Sequence, residues 1–336
     1  HGHGDEVGLH PGMTTPAPYY AELAEGPEGF GAFWAQTPDG MRVRASACAC
    51  GSRGTVIVFP GRTEFAEKYG QVFHRLEELD VSIAAIDWRG QGLSDRYEAS
   101  PTLGHVEDFR DYQRDVEALL SVDAVRQLPR PWVLLGHSMG ACIGLRTLLE
   151  RADFSGAIFS APMWHLQMRA ATREISSKMT QLANFIGLGS RLTPGATAGP
   201  TSLNIAFEAN PLTSDSEVFA WCARQIMAQP ELAIGGPSIQ WTYAALEEMA
   251  RLYVAPLPKV PVLTFLGTEE TVVSTSVIRT QMRKMENGEL VILDGARHEI
   301  LMERPEILMQ VWPRVAQFLS NAFDEGSASA AIGISR

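Results

Sequence analysis

Residues 132–140 read WVLLGHSMG, an apolar run that leads into a serine between two glycines. A short continuous apolar run is typical of a strand buried on both faces, and residues 141–150 have the pattern of an apolar helix. A strand that turns directly into a helix through G-x-S-x-G holds its serine on a sharp bend, which Gly136 and Gly140 allow to close tightly. The helix dipole there favours developing negative charge. We therefore predict that Ser138 is a nucleophile.

Strand and helix patterns alternate on both sides of this turn. Buried strands are predicted at residues 55–59, 81–86, 132–135, 156–160, 261–266 and 290–293. Helical patterns lie between and after them, at residues 65–79, 109–120, 141–150, 275–285 and 305–323. An Asp-Gly pair before the first of these strands predicts a hairpin turn at residues 37–40. Such alternation implies an α/β fold with a mostly parallel central sheet and helices on both faces.

One segment interrupts the alternation. Residues 163–253 contain no convincing strand pattern, and their loops are rich in Gly, Pro, Ser and Thr. Helical patterns in this segment cover residues 169–186, 217–227 and 239–252. A helical block between two strands is an insertion, and in an enzyme we expect it to form a lid. The predicted α/β core then consists of residues 31–162 and 254–325.

The two ends of the chain are predicted to lie outside this core. Residues 1–30 are rich in Gly, Pro and acidic residues and lack periodicity, which predicts a flexible N-terminal arm. Residues 326–336 are small and polar, which predicts a disordered tail.

Composition excludes some classes of function. The chain of 336 residues carries a formal net charge of −11, from 39 acidic and 28 basic residues. It has no run of Lys and Arg of the kind that forms a nucleic-acid-binding patch. No apolar run approaches the ~20 residues that a membrane-spanning helix needs. We expect a cytoplasmic protein with at most transient contact at the inner membrane face, and the sequence indicates no oligomeric state.

A serine hydroxyl needs a base, and the base needs an acid. In the chain order serine, acid, histidine, the base belongs after the last strand, where the loop that follows residues 290–293 contains His298. The acid belongs after residues 261–266, where no Asp is present and Glu269 and Glu270 are adjacent. Both glutamates remain candidates on this ground. This chemistry requires no metal, nucleotide or other cofactor.

Two backbone amides are candidates for stabilising the tetrahedral intermediate. One is the N–H of Met139, directly after the predicted nucleophile. The other is the N–H of Arg62, in the turn after the first buried strand, which Pro60 and Gly61 shape. If the amide of Arg62 fills this role, the side chain of Arg62 remains free for another role.

The insertion is rich in apolar and aromatic residues, so we expect it to line an acyl-sized pocket beside the nucleophile. Four residues are candidates for contact with substrate. They are His137 next to the nucleophile, Trp164 and His165 at the start of the insertion, and Trp241 within it.

Four segments together resemble a known family. Residues 59–69, FPGRTEFAEKY, look like H-G-x-x-E-H-x-x-R-Y, and residues 87–95, DWRGQGLSD, resemble D-x-R-G-H-G-x-S. Residues 136–140 match G-H-S-M-G, and residues 295–299, GARHE, resemble G-A-x-H-E. These motifs are those of the monoacylglycerol lipase and lysophospholipase branch of the α/β hydrolases, which is also called serine aminopeptidase-like. The resemblance implies the α/β-hydrolase fold.

Further segments refine this resemblance. Residues 210–215 and 230–237 in the insertion look closer to bacterial lysophospholipase L2. The acid of the family lies in G-x-x-D-x-V-V, and this motif placed on Gly267 implies Glu270 as the acid. A Glu at this position departs from the usual Asp, and it keeps the same role with one more methylene group.

The resemblance implies a serine carboxylic-ester hydrolase that forms an acyl-enzyme from a monoacyl lipid-like ester, either a lysophospholipid or a monoacylglycerol. One alternative is an amidase or aminopeptidase. An aminopeptidase needs a carboxylate to hold the substrate ammonium. The candidates for that carboxylate in the insertion are Glu174, Glu208, Glu231, Glu247 and Glu248. A second alternative is a ligand-binding protein without turnover on the same scaffold.

Overall fold

The computed structural model describes residues 14–333, apart from the side chains of residue 201 and residues 326–333. Its strands are β1 (Thr15–Ala17), β2 (Gly31–Gln36), β3 (Arg42–Cys48), β4 (Thr55–Phe59), β5 (Ser82–Asp87), β6 (Trp132–His137), β7 (Phe154–Ser160), β8 (Val262–Gly267) and β9 (Gly288–Leu293). They form one sheet in the order β1-β2-β3-β5-β4-β6-β7-β8-β9. The pairs from β1 through β3 to β5 are antiparallel and the remaining pairs are parallel. The predicted mostly parallel sheet is confirmed.

Helices connect and cover these strands. They are α1 (Ala21–Ala24), α2 (Gly70–Glu78), α3 (Tyr112–Ser121), α4 (Asp123–Arg126), α5 (Met139–Glu150), α6 (Ala170–Phe185), α7 (Thr201–Asn204), α8 (Ser216–Ala228), α9 (Ile239–Val254), α10 (Thr275–Lys284) and α11 (Pro305–Gly333). Short 3-10 turns occur at Ala66–Tyr69, Phe109–Asp111, Phe207–Ala209, Pro230–Leu232 and Ile300–Met302. None of the helices in the described part of the chain combines the length and apolar character needed to cross a membrane.

The apolar composition of the central strands follows from their position. Every residue of β4, β5 and β6 is buried, because helices cover a parallel sheet on both faces. The predicted hairpin between β2 and β3 is also present. Thr37 N donates to Met41 O at 2.8 Å, and Gly40 has the positive φ of 87° that the tight turn requires. In the parallel part of the sheet, the carboxyl ends of β4, β6, β8 and β9 lie at one edge.

The connection from β7 to β8 carries α6, α7, α8 and α9, in the segment where the sequence predicts a helical insertion. The insertion packs against the core through α9. Trp241 Nε1 donates to Tyr112 Oη at 3.1 Å, and Glu248 forms an ion pair with Arg146 of α5. The insertion is therefore fixed to the core at α9, and its role as a lid stays a prediction.

The N-terminal segment differs from the prediction of a flexible arm. In the described residues of that segment, β1 pairs with β2, and Arg44 Nη1 donates to Pro18 O at 2.9 Å. Tyr20 N also donates to Glu67 Oε1 at 3.0 Å. Residues 14–30 are thus held by hydrogen bonds to β2, β3 and the turn before α2, because distant buried charges supply partners that local periodicity does not reveal. Residues 1–13 of the predicted arm lie outside the described residues.

The C-terminal segment also differs from the predicted disordered tail. Helix α11 continues through Gly333. Residues 327–331 read SASAA, and alanine has the highest intrinsic helix propensity, so an established helix can propagate through them. Residues 334–336 lie outside the described residues.

Candidate active site

Ser138 occupies the bend between β6 and α5. Its backbone has φ 51° and ψ −113°, a region that costs free energy for a residue with a side chain. The bend is held by Ser138 N donating to Ser160 O at 3.1 Å and by Met163 N donating to Ser138 O at 3.0 Å. A Cβ on Gly140 would lie 2.0 Å from Phe59 O. Only glycine therefore allows α5 to start this close to the end of β4.

His298 lies between Ser138 and Glu270. Its Nε2 is 2.9 Å from Ser138 Oγ, and its Nδ1 is 2.7 Å from Glu270 Oε2. The three side chains follow β6, β8 and β9, whose carboxyl ends meet at one edge of the sheet. The structure thus brings together the three residues that the sequence predicts as nucleophile, base and acid, in a hydrogen-bonded chain with the geometry of a serine triad.

The two adjacent glutamates have different environments. Glu270 is buried, and its Oε1 accepts hydrogen bonds from Val272 N at 2.6 Å and Val273 N at 3.0 Å. Burial raises the pKa of Glu270, but the hydrogen bond from His298 and those amides outweigh it, so the pKa lies below its usual value. The side chain of Glu269 is 56% exposed and lies 3.7 Å from Arg297. Glu270 alone of the two contacts the histidine.

The predicted oxyanion donors lie on two fixed turns. The N–H of Arg62 makes no hydrogen bond to the part of the chain that the structure describes. Its turn is held by Trp88 Nε1, which donates to Pro60 O at 2.8 Å, and by Gln91 Nε2, which donates to Gly61 O at 2.8 Å. Met139 is the first residue of α5, so its N–H has no partner within the helix. Both amides are available, and their role in catalysis stays a prediction.

A buried ionic cluster links the two loops that carry these groups. Glu64 Oε1 accepts hydrogen bonds from Gly61 N and, at 2.8 Å, from Tyr69 Oη. Lys68 Nζ lies 3.0 Å from Glu64 Oε2 and also pairs with Glu299, the residue after the predicted base. Lys68 thereby links the turn at residues 60–62, which carries a predicted oxyanion donor (the oxyanion turn), to the loop after β9 that carries His298 (the histidine loop). The sequence prediction missed this link, although the i, i+4 spacing of Glu64 and Lys68 is a signal for their pairing.

The same cluster contains the group of side chains best placed to hold a metal ion among the described residues. Ligand atoms of Glu64, His137 and Glu299 lie within 4.8 Å of one another. Lys68 already pairs with both carboxylates, so its ammonium supplies the positive charge that a metal would bring. The donor set therefore fits the lysine better than a metal ion.

Lys68→Met is expected to lower the free energy of unfolding by about 3 kcal/mol, because it leaves two buried carboxylates without their cation. Burial raises the pKa of Glu64, but Lys68, His137 and Tyr69 hold it at about 2, below the usual 4.5. Since the pKa in the folded state is depressed, this stabilisation is present above pH 4.5 and is lost as the pH falls toward 2. The loss of stability in Lys68→Met should therefore shrink at acid pH.

Urea unfolding at neutral and at acid pH measures this effect. Lys68→Arg is the matched control, since it keeps the positive charge and should retain most of the stability at neutral pH. Equal urea midpoints for the wild type and Lys68→Met at neutral pH would show that the cluster does not stabilise the fold.

Ser138 and His298 line a cavity of about 250 Å³. Much of its wall is apolar and includes Phe65, Met163, Leu166, Phe219, Ile226 and Ile234. Residues of both the core and the insertion contribute to this wall. A cavity of this kind favours an extended apolar group in the substrate.

The four predicted substrate contacts divide into two pairs. His137 and Trp241 line the cavity. His137 also lies against His298, with ring centroids 4.8 Å apart, and burial lowers its pKa. Trp164 and His165 are buried and do not line the cavity, which corrects the expectation for both. Trp164 packs edge-on against Phe159 of β7, because the chain leaving β7 turns this side chain into the core.

Comparisons with known proteins identify the family of the chain. The family described as Serine aminopeptidase, S33 matches residues 51–305. The chain is 30% identical to lysophospholipase L2 of Escherichia coli (strain K12), over 74% of this chain and 75% of that protein. It is 25% identical to the monoglyceride lipase of Homo sapiens, over 80% of this chain and 82% of that one.

Solved structures show the same fold. A soluble variant of monoglyceride lipase from Saccharomyces cerevisiae, in complex with a substrate analog, matches with a TM-score of 0.64 at 19% identity. The match covers 94% of this chain and 97% of that chain. A thermostable carboxyl esterase from Bacillus coagulans matches with a TM-score of 0.67 at 17% identity, over 88% and 100% of the two chains. The chain therefore belongs to the Serine aminopeptidase, S33 family of α/β hydrolases.

Proposed function

We propose that this chain is a serine carboxylic-ester hydrolase that cleaves monoacyl lipid-like esters, with Ser138 as nucleophile, His298 as base and Glu270 as acid. The observation that carries the proposal is the hydrogen-bonded chain from Glu270 through His298 to Ser138, which opens into a largely apolar cavity. The names of the relatives, lysophospholipase L2 and monoglyceride lipase, support a substrate with one acyl chain.

The proposed reaction has two halves. In the first, His298 Nε2 takes the proton from Ser138 Oγ as this oxygen attacks the ester carbonyl carbon, and the imidazolium is stabilised by Glu270. The amides of Arg62 and Met139 donate to the carbonyl oxygen as it becomes negative. The C–O bond to the alcohol then breaks, and the leaving oxygen receives the proton from the imidazolium. In the second half, water attacks the acyl-enzyme with the same base and releases the carboxylic acid.

An exposed apolar stripe on α6 supports a lipid-like substrate. Ile175, Met179, Leu182 and Phe185 are 58%, 65%, 61% and 87% exposed and recur at helical spacing. Exposed apolar patches commonly mark contact with membranes or other apolar partners. We propose that this stripe makes transient contact with the inner membrane face from the cytoplasm, since a chain of net charge −11 does not favour tight binding to anionic lipids.

The aminopeptidase alternative needs an unpaired carboxylate near the nucleophile to hold a substrate ammonium. Among the described residues that line the cavity, the carboxylates belong to Glu64 and Glu299, and both pair with Lys68. The acidic residues of the insertion that the sequence left open do not line the cavity; these are Glu174, Glu208, Glu231, Glu247 and Glu248. The guanidinium of Arg62, which makes no ion pair with the described residues, also lines the cavity and would repel an ammonium. The charges therefore favour the esterase.

Release of 4-nitrophenol from acetate, butyrate, octanoate and palmitate esters tests the proposal. We expect kcat/KM to rise at least tenfold from acetate to the preferred medium or long chain, because each buried CH₂ contributes about 0.8 kcal/mol. Rates that do not respond to acyl length would contradict the lipid-like substrate. Cleavage of amino-acid 4-nitroanilides without cleavage of any ester would favour the aminopeptidase, and acylation without turnover would favour the ligand-binding protein.

A further inference from the structure

The side chain of Arg62 lies in the cavity wall without an acidic partner. Its Nη1 donates to Gly235 O at 2.9 Å, and its Cζ lies 5.6 Å from the centre of the Trp241 ring. No carboxylate of the described residues lies within ion-pair distance of it. One carbonyl and one ring face leave most of the N–H groups of the guanidinium available.

Two other guanidiniums in the protein interior have acidic partners. Arg44 pairs with Glu67 and Asp87, and Arg89 pairs with Asp115. A charge removed from water is costly unless it is paired. Burial lowers the pKa of Arg62 to about 10, so the group remains protonated at neutral pH. The cavity wall therefore holds a guanidinium that makes no ion pair with the described residues.

We propose that the Arg62 guanidinium binds a phosphodiester in the alcohol portion of the substrate, and so selects lysophospholipids over monoacylglycerols. The inference rests on the proposed function, and it assigns to Arg62 a specificity role beyond that of its backbone amide. A planar guanidinium donates paired hydrogen bonds to phosphate oxygens, and its charge compensates that of the ligand. Thr63 and Ser202 line the same cavity, and their hydroxyl groups are candidates for further donors.

The position of the guanidinium suits this role. The N–H of Arg62 is a predicted donor to the reacting carbonyl oxygen, and covalent geometry keeps the guanidinium within one arginine side-chain length of that amide. In a lysophospholipid, the glycerol backbone separates the ester carbonyl from the phosphodiester by a comparable length. One residue can thus contact both ends of the alcohol portion, with its amide at the ester and its side chain at the phosphate.

The test compares kcat/KM for lysophosphatidylethanolamine and monoacylglycerol with the same acyl chain, in the same detergent micelles. The wild type should prefer the phospholipid. Arg62→Met should lower the ratio of the two values about tenfold to a hundredfold, because it removes a charged hydrogen-bond donor. Arg62→Lys should retain a large part of the preference, because it keeps the charge. Arg53→Met is the control, since Arg53 is exposed, donates to Leu79 O and Ser320 Oγ away from the residues that line the cavity, and should leave the ratio unchanged.

An equal loss on both substrates in Arg62→Met would overturn the inference and assign the side chain a purely structural contact with Gly235. A wild type that cleaves monoacylglycerol but shows no preference for the phospholipid would also overturn it, and would leave the proposed function intact. A wild type that cleaves neither substrate would overturn both the inference and the proposed function.

A second measurement uses only the wild-type protein. Glycerophosphoethanolamine should inhibit ester hydrolysis by the wild type competitively, whereas equal or absent inhibition by it and by glycerol would count against Arg62.

Discussion

Ser138→Ala is expected to lower kcat on the preferred carboxylic ester roughly 10⁴-fold to 10⁶-fold. Alanine removes the oxygen that attacks the carbonyl carbon but leaves the cavity and the predicted oxyanion amides in place. The expected change is therefore in kcat, and KM should change little. Stopped or continuous assays of 4-nitrophenol release, with enzyme concentrations high enough to detect slow turnover, measure the effect.

A covalent probe separates loss of the nucleophile from loss of the fold. A fluorophosphonate should add one adduct to the wild type, seen by intact mass and located by peptide mapping at Ser138, and none to Ser138→Ala. Ser320→Ala is the matched control, since Ser320 contacts Arg53 on the surface and should retain wild-type turnover and labelling. Substantial ester hydrolysis by Ser138→Ala, or an adduct at another serine, would contradict the proposed mechanism.

The core of the fold was predictable because its signals are local. The apolar runs of β4, β6 and β8 and the G-x-S-x-G turn can be read within short windows, and the structure places these elements within a few residues of their predicted bounds. The N-terminal segment could not be predicted in this way. Its hydrogen bonds come from Arg44 and Glu67, which lie far along the chain and meet Pro18 and Tyr20 only in the folded protein.

The candidate site likewise contains residues that could be predicted from the sequence and a link that could not. Ser138, His298 and Glu270 follow from chain order, from strand ends and from the family register, and the structure brings them together. The link through Lys68 requires knowing that the oxyanion turn and the histidine loop are neighbours. Chain order indicates which loops carry these residues, but it does not indicate how far apart the loops lie in the folded protein.

The insertion shows where periodicity stops being informative. Its apolar residues lie in different environments: Phe185 is exposed on α6, Trp221 is buried and does not line the cavity, and Ile226 and Trp241 line it. A helical repeat identifies an apolar face without indicating whether that face meets substrate, core or solvent. The same limit explains the positions of Trp164 and His165.

Glu270→Gln is expected to lower kcat about 10⁴-fold, because a neutral amide no longer stabilises the imidazolium of His298 and no longer fixes its tautomer. The pKa of Glu270 lies below its usual value, so in the wild type its carboxylate stays ionised to a lower pH than that of an ordinary Glu. Loss of activity on mild acidification should therefore not arise from protonation of the acid. Ester hydrolysis across a pH series by the wild type and the variant measures both effects.

Glu269→Gln is the matched control for this prediction, since it makes the same chemical change one residue away. Glu269 is exposed and contacts Arg297, so its replacement should change kcat by no more than about threefold, as expected for an exposed pair of small net effect. In Glu270→Gln, the new side-chain amide oxygen can still accept from Val272 N and Val273 N, so the loop should keep its conformation. If Glu269→Gln lost activity and Glu270→Gln retained it, the orienting acid would be Glu269, and the loop would have to rearrange when substrate binds. If both retained activity, His298 would act without a carboxylate partner, and the hydrogen bond at 2.7 Å would be structural only.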